Sequence, residues 1–187
     1  MSVKTLVLTL IGPDQSGIVE SVAACVRDSG GNWVESRMSH LAGQFAGILH
    51  VEVPEDRAAT LAGALCGLGD RGLTVTVAAE DISAAVTGAV TGAVTGAGSE
   101  VVTLDLIGQD RPGIVAQLSQ VLVANGINVE ELETGCSDAP MSGERLFRAR
   151  GKFALPETLT REAFREQLEA IASDLMVDIT LEGEGVA

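Results

Sequence analysis

Basic residues are scarce in this chain. Lys and Arg number 12 against 26 Asp and Glu, a formal net charge of −14 over 187 residues. Both halves are acidic. That excludes the expectation of a nucleic-acid surface, which needs clustered cations to neutralise phosphates. The acidity favours solubility and leaves a basic partner open. Paired cysteines are also lacking. Cys25, Cys66 and Cys136 are scattered with no CxxC spacing, the pattern of reduced thiols. Cys25 and Cys66 fall in apolar helical patterns and are expected in the core. Cys136 lies near a loop with no His or Lys beside it in sequence, which disfavours a reactive thiol. No signal-peptide pattern precedes the first strand, so the expected location is cytoplasmic. A membrane span is missing as well. The one long uncharged run, between Asp81 and Glu100, is rich in Gly and Thr, whereas a span needs about 20 strongly apolar residues.

What the chain does have is a repeat. Thr-Leu-Ile-Gly-Pro-Asp-Gln-Ser-Gly-Ile-Val at 9–19 returns as Asp-Leu-Ile-Gly-Gln-Asp-Arg-Pro-Gly-Ile-Val at 105–115, an offset of 96. Gly30, Asn32 and Glu35 fall on Gly126, Asn128 and Glu131 at the same offset. Six residues are then added, and Phe45 matches Phe147 and Pro54 matches Pro156. Self-similarity over half the length means two copies of one domain. Apolar residues make up 46% of the chain and charged residues 20%, a globular composition.

Each copy alternates periods of two and of 3.6 residues. In the first, Val3–Ile11, Trp33–Ser39, Phe45–Val53 and Leu73–Val77 read as strands; Ser16–Ser29 and Ala58–Leu68 read as helices. In the second, strands are expected over Val101–Ile107, Asn128–Thr134, Leu146–Leu155 and Met176–Leu181. Helices are expected over Ile114–Ala124 and Arg161–Ser173, the latter capped by Thr160. Gly30-Gly31 stops the first helix, and Pro54 stops the third strand. The order β-α-β-β-α-β, with right-handed crossovers, predicts an α+β chain of two tandem ferredoxin-like domains. Each has a four-stranded antiparallel sheet with two helices on one face. The expected division is 1–82, a linker at 83–99 built on three Ala-Val-Thr-Gly tetrapeptides, and 100–187.

The repeated strand-to-helix turn is the strongest candidate for chemistry. A strand ends at Gly12 or Gly108, an acid follows (Asp14, Asp110), and a helix begins near Gly17 or Gly113. Free N–H groups at a helix start bind anions, and glycines let a ligand near the backbone. The Asp is either an N-cap in a tight turn or an acceptor for the ammonium of a zwitterion. Neither GxxxxGK[ST] nor GxGxxG is present, so phosphate cradling is unsupported. No nucleophile-and-base pair or metal-ligand spacing stands out, so no catalytic residue, metal or cofactor is expected. His40 has no Asp or Cys constellation in sequence. On the third strand of the second copy, Phe147, Ala149, Gly151 and Phe153 share one face and Arg148, Arg150 and Lys152 the other. The three cations are a candidate partner-binding stripe, with cross-strand pairing to Asp105 as the plainer reading.

Leu-Ile-Gly-Gln-Asp-Arg-Pro-Gly-Ile-Val (106–115) with Asn-Gly-Ile-Asn-Val-Glu (125–130) resembles the ACT domain, a small regulatory amino-acid-binding module. Gly-Pro-Asp-Gln-Ser-Gly-Ile-Val (12–19) and Gly-Gly-Asn-Trp-Val-Glu (30–35) carry the same pattern, with Ser16 in place of Pro112 and Trp33 where an aliphatic residue is usual. The stretch from Ala139 to Phe147 and on to Pro156 is similar to the second half of tandem ACT proteins of the glycine cleavage system transcriptional repressor type.

The resemblance implies ACT domains paired side by side with continuous sheets. It implies effector sites made from the first loop of one domain and the Asn of its neighbour. Carried onto this chain, these are Gly12, Asp14 and Gln15 with Asn128, and Gly108, Asp110 and Arg111 with Asn32. Each Asn also reads as a plain turn residue before a strand. Trp33 narrows the first of the copies' sites. The implied function is a non-enzymatic regulator that binds a small amino acid of the glycine or serine class. It would modulate a protein partner, such as a transcription regulator of glycine cleavage. A detached regulatory subunit of a metabolic enzyme and a ligand-free scaffold are the alternatives. A homodimer is open, and direct nucleic-acid or membrane binding is not expected.

Overall fold

A computed structural model describes residues 2–79, 100–139 and 144–183. The expected linker at 83–99 lies outside them. In the first copy, β1 (Val3–Pro13), α1 (Ile18–Asp28), β2 (Asn32–Leu41), β3 (Gln44–Pro54), α2 (Ala58–Cys66) and β4 (Thr74–Ala79) follow in order. In the second they are β5 (Glu100–Gln109), α3 (Ile114–Ala124), β6 (Asn128–Asp138), β7 (Arg145–Leu155), α4 (Arg161–Leu175) and β8 (Val177–Gly183). The expected α+β order stands in both copies.

Most boundaries run longer than the sequence suggested. β1 continues through Gly12 and Pro13 because its partner β3 is equally long, with Val3 opposite Pro54 and Pro13 opposite Gln44. Pro54 is thus the last residue of its strand, where a missing N–H is tolerated. The second helix ends sooner. Its α-helical part stops at Cys66, and Gly67–Arg71 tightens into a 3₁₀ turn closed by Gly72 at φ 81°. Cys66 is exposed there and does not join the core, because it sits on the outer side of a short helix that buries Ala58, Leu61 and Leu65. Thr160 caps α4, its Oγ1 accepting from the Ala163 N–H at 3.2 Å.

The eight strands form one antiparallel sheet in the order β4-β1-β3-β2-β6-β7-β5-β8. The two copies meet through β2 and β6, where Ser36 pairs with Thr134 and Met38 with Leu132. On the same face, α1 packs beside α3. One chain therefore builds the side-by-side pair. The core lies between sheet and helices: Leu6, Leu8, Leu10, Phe45, Leu49 and Leu61 in one copy, and Leu104, Leu106, Phe147, Phe153, Phe164 and Leu168 in the other, are almost wholly buried. Alternation along each strand accounts for this face.

A bulge breaks the alternation at one equivalent point in each copy. Register shifts between Trp33 and Glu35 opposite β3, and between Val129 and Glu131 opposite β7. The extra residues are Val34 and Glu130. Bulges re-aim side chains, and both lie at the start of the strand that joins the copies.

Candidate functional site

The topology brings each repeated turn of one copy against the second strand of the other. Asn128 Nδ2 donates to Asp14 Oδ2 at 2.8 Å. Asn32 Nδ2 reaches both oxygens of Asp110, each at 3.1 Å. Antiparallel joining of β2 to β6 makes this swap unavoidable, since the start of each strand lies beside the far copy's turn. Neither Asp caps its helix. The N-cap positions are Gly17 at φ 88° and Gly113 at φ 96°, with no side-chain cap; this is backbone that only glycine adopts freely. The aspartates stand free of the helix start and face the junction. Their own N–H groups donate to equivalent carbonyls, Asp14 to Gly43 O at 2.9 Å and Asp110 to Arg145 O at 2.8 Å.

Around this shared frame the two junctions differ. At the Asp14 side, the Gly43 N–H donates to His40 Nε2 at 3.2 Å. The other ring nitrogen, Nδ1, lies 3.1 Å from Glu130 Oε2. His40 Nε2 is also 3.7 Å from Asp14 Oδ2. The cluster thus sets two carboxylates around one imidazole, a field suited to a cation such as an ammonium. Neither His40 nor Glu130 was singled out by the sequence. The constellation exists only through the junction and the bulge that turns Glu130 inward.

At the Asp110 side, Cys136 occupies the place of His40 and Arg145 that of Gly43. Arg145 Nε lies 3.4 Å from Asp110 Oδ2, and its Nη1 lies 3.4 Å from Glu52 Oε1. Burial works against the Arg145 charge, yet Glu52, Cys136 and Asp110 raise its pKa above the ordinary guanidinium value. Asp110 thus faces a guanidinium shared with Glu52, and its side chain is only 6% exposed. The Cys136 thiol donates to Val34 O at 3.4 Å. Burial first, and the Asp110 charge next, push its pKa up to about 11. That thiol is a structural group, in line with the disfavoured reactive role.

The remaining candidates divide. Gln15 Nε2 donates to Arg71 O at 3.0 Å, and Arg111 Nη2 to Asp174 O at 2.6 Å. Each pins its turn to the segment before the last strand of its own copy, and each also lines a hollow at the junction. Gly12 and Gly108 line neither hollow. A Cβ on Gly12 would stand 2.8 Å from Gly72 O, and one on Gly108 would stand 2.5 Å from Val177 Cγ1. Their observed role is close packing against the chain that enters β4 or β8. Arg148 grips both oxygens of Asp105 at 3.0 Å, and Arg150 Nε is 4.0 Å from Asp105; Lys152 sits opposite Glu131 in the register. The stripe on β7 is met by acids of its own sheet.

Two hollows lie between helices α1 and α3. One, of about 280 Å³ with the open solvent at its mouth counted, is bounded by Asp14, Gln15, Gly17, Ser119, Asn128 and Val129 among others. The other, of about 250 Å³ with the open solvent at its mouth counted, is bounded by Ala23, Asn32, Trp33, Arg111 and Gly113 among others, so Trp33 narrows this second site and not the Asp14–Asn128 site it was expected to narrow. Ser119 was missed by the sequence reading. Its signal was available: a lone hydroxyl inside the apolar stripe Ile114, Val115, Leu118 and Leu122. Among the described residues no group of His, Cys, Asp and Glu is arranged to hold a metal ion, and no helix is long and apolar enough to cross a membrane.

Comparison with known proteins agrees with this geometry. The ACT domain matches residues 4–79 and again residues 102–172. No curated protein gives a significant match. A crystal structure of an unknown protein from Galdieria sulphuraria is 27% identical, covers 98% of this chain and 100% of its own, and has a TM-score of 0.45. A protein described as a candidate glycine cleavage system transcriptional repressor is 16% identical over 100% of both chains, TM-score 0.43. The ligand-free regulatory subunit of aspartate kinase from Thermus thermophilus is 16% identical over 90% of this chain and 95% of its own, TM-score 0.36. With both halves matched and joined edge to edge through their second strands, the chain belongs to the ACT-domain family and carries two copies in tandem.

Proposed function

We propose that this protein is a non-enzymatic sensor of a small amino acid, of the glycine or serine class. The ligand binds where the copies join, and the joined pair modulates a protein partner. The observation that carries the reading is the swapped contact: the carboxylate of each repeated turn is held by the Asn of the opposite copy, at 2.8 Å for Asp14 and 3.1 Å for Asp110. A zwitterion placed there would touch both copies at once. Its binding free energy would then depend on how they are docked, which is the requirement for shifting a conformational population. The resemblance of residues 139–156 favours a transcription regulator of glycine cleavage as the partner. Isothermal calorimetry of the full chain against the common amino acids tests the reading. Saturable binding of a small amino acid is expected, weakened at least about tenfold by Asp14→Asn; no binding by any of them would end it.

A further inference from the structure

The two hollows are built from equivalent positions, and their differences are directional. Ser119 in the first stands where Ala23 stands in the second, and Val129 where Trp33 stands. Ser119 is 2% exposed, and its Oγ has no hydrogen-bond partner among the described residues. A buried hydroxyl left unpaired is unfavourable and rare, and an apolar residue would serve the packing better. The counterpart helix α1 uses Ala23 at that place, so the fold does not require the hydroxyl. Among the described residues that line the second hollow, no buried polar side-chain atom is left without a partner. Trp33 is 5% exposed and fills the wall, with its Nε1 donating to Thr134 Oγ1 at 3.2 Å. Asp110 has both oxygens held by Asn32 and a guanidinium beside it. Asp14 is more open, at 15% side-chain exposure, with Asn128 on one oxygen and Gly43 at the position that Arg145 holds in the second copy.

We infer that the junctions have separate jobs: the Asp14–Asn128 hollow is the ligand site and takes a small amino acid bearing a side-chain hydroxyl, which meets Ser119 Oγ, while the Asp110–Asn32 junction is a permanent brace. This rests on the sensor reading above and narrows it to one site per chain and to serine over its hydroxyl-free analogues. The ammonium goes to the Asp14 side, where the field is negative, and the hydroxyl supplies the bond that Ser119 lacks. A site with a buried group awaiting a hydroxyl discriminates against a ligand without one, because the group stays unpaired.

The test is calorimetry of the full chain with L-serine, L-alanine and glycine, on the wild type and on Ser119→Ala. The expected result is one serine per chain, bound at least about tenfold more tightly than alanine. Ser119→Ala should erase that preference while alanine affinity stays within about twofold. Thermal unfolding of the variant checks that it folds. Two serines per chain, or a serine preference unchanged by Ser119→Ala, overturns the inference and leaves the sensor reading standing; in the latter case the hydroxyl serves a water. Absence of binding by all three and by every other common amino acid removes both.

Discussion

The indole of Trp33 hydrogen-bonds to Thr134 Oγ1 across the junction at 3.2 Å, and Thr134 in turn lies 3.0 Å from Ser36 Oγ. The pseudo-symmetric place holds only the apolar pair Met38 and Leu132, with Val129 in the position of Trp33. A polar knot therefore closes one side of the interface and an apolar contact the other. Trp33→Val should remove a large buried ring and one bond to Thr134. We expect a loss of about 2–4 kcal/mol in urea denaturation. The second hollow should widen without any gain in serine stoichiometry.

Asn128→Ala and Asn32→Ala probe the swapped contacts. Each takes the amide donor from a mostly buried carboxylate, at a cost of about 1–3 kcal/mol. Asn32→Ala should fall at the lower end, because Arg145 remains beside Asp110. Asn128→Ala should also weaken ligand binding, whereas a turn-only role would leave affinity intact. Denaturation and calorimetry on the same samples separate the two effects.

Gly12→Ala and Gly108→Ala distinguish packing from ligand approach. The added methyl would press on Gly72 O and Leu73 in one copy, and on Met176 O and Val177 in the other. Overpacking of this kind costs about 1–3 kcal/mol. Stability should drop in both variants, and ligand affinity should hold in Gly12→Ala. A selective loss of affinity without destabilisation would return Gly12 to the site.

Cys136 predicts a pH effect. Its thiol pKa is raised in the fold, from 9.0 to about 11. The neutral thiol therefore favours the native state below about pH 9, and that contribution is lost as pH rises towards 11. The urea midpoint of the wild type should fall across this window more than that of Cys136→Ala. At pH 8–9 iodoacetamide should modify exposed Cys66 well before Cys136; equal rates would contradict the buried placement.

The fold was legible because its information is periodic. Leu6, Leu8 and Leu10 alternate, Ile18, Val19, Val22 and Val26 follow a helical stripe, and all are buried as their spacing implies. Gly30 at φ 70° ends its helix as expected, and Gly126 at φ 64° stands at the same place in the second copy. The site was legible only in part. Asp14 and Asn128 stand 114 residues apart in sequence, and the repeat, read with the ACT resemblance, paired them before any geometry was known. His40 and Glu130 were not recoverable this way, because they meet through a bulge that no local pattern announces. Gly12 and Gly108 read as ligand glycines from their place before the turn; the packing that constrains them comes from the chain entering β4 or β8, 60 or more residues downstream.

The strand order also sets a ruler. Between β4, at one edge, and β5, next to the other, lie six strand spacings, or about 29 Å at about 4.8 Å each. The chain supplies 20 residues between Ala79 and Glu100, or 21 Cα steps, enough at full extension for about 69–76 Å. Excising the three tetrapeptides, Ala85 to Gly96, leaves eight residues, or nine Cα steps from Ala79 to Glu100, whose full extension is about 30–32 Å. So short a tether would have to run straight and fully extended, with no slack to pass round the strands between, and the copies would pair more readily with those of another chain. The length of that segment is thus what makes the pair a property of one polypeptide, and shortening it should turn a concentration-independent assembly into an exchanged dimer.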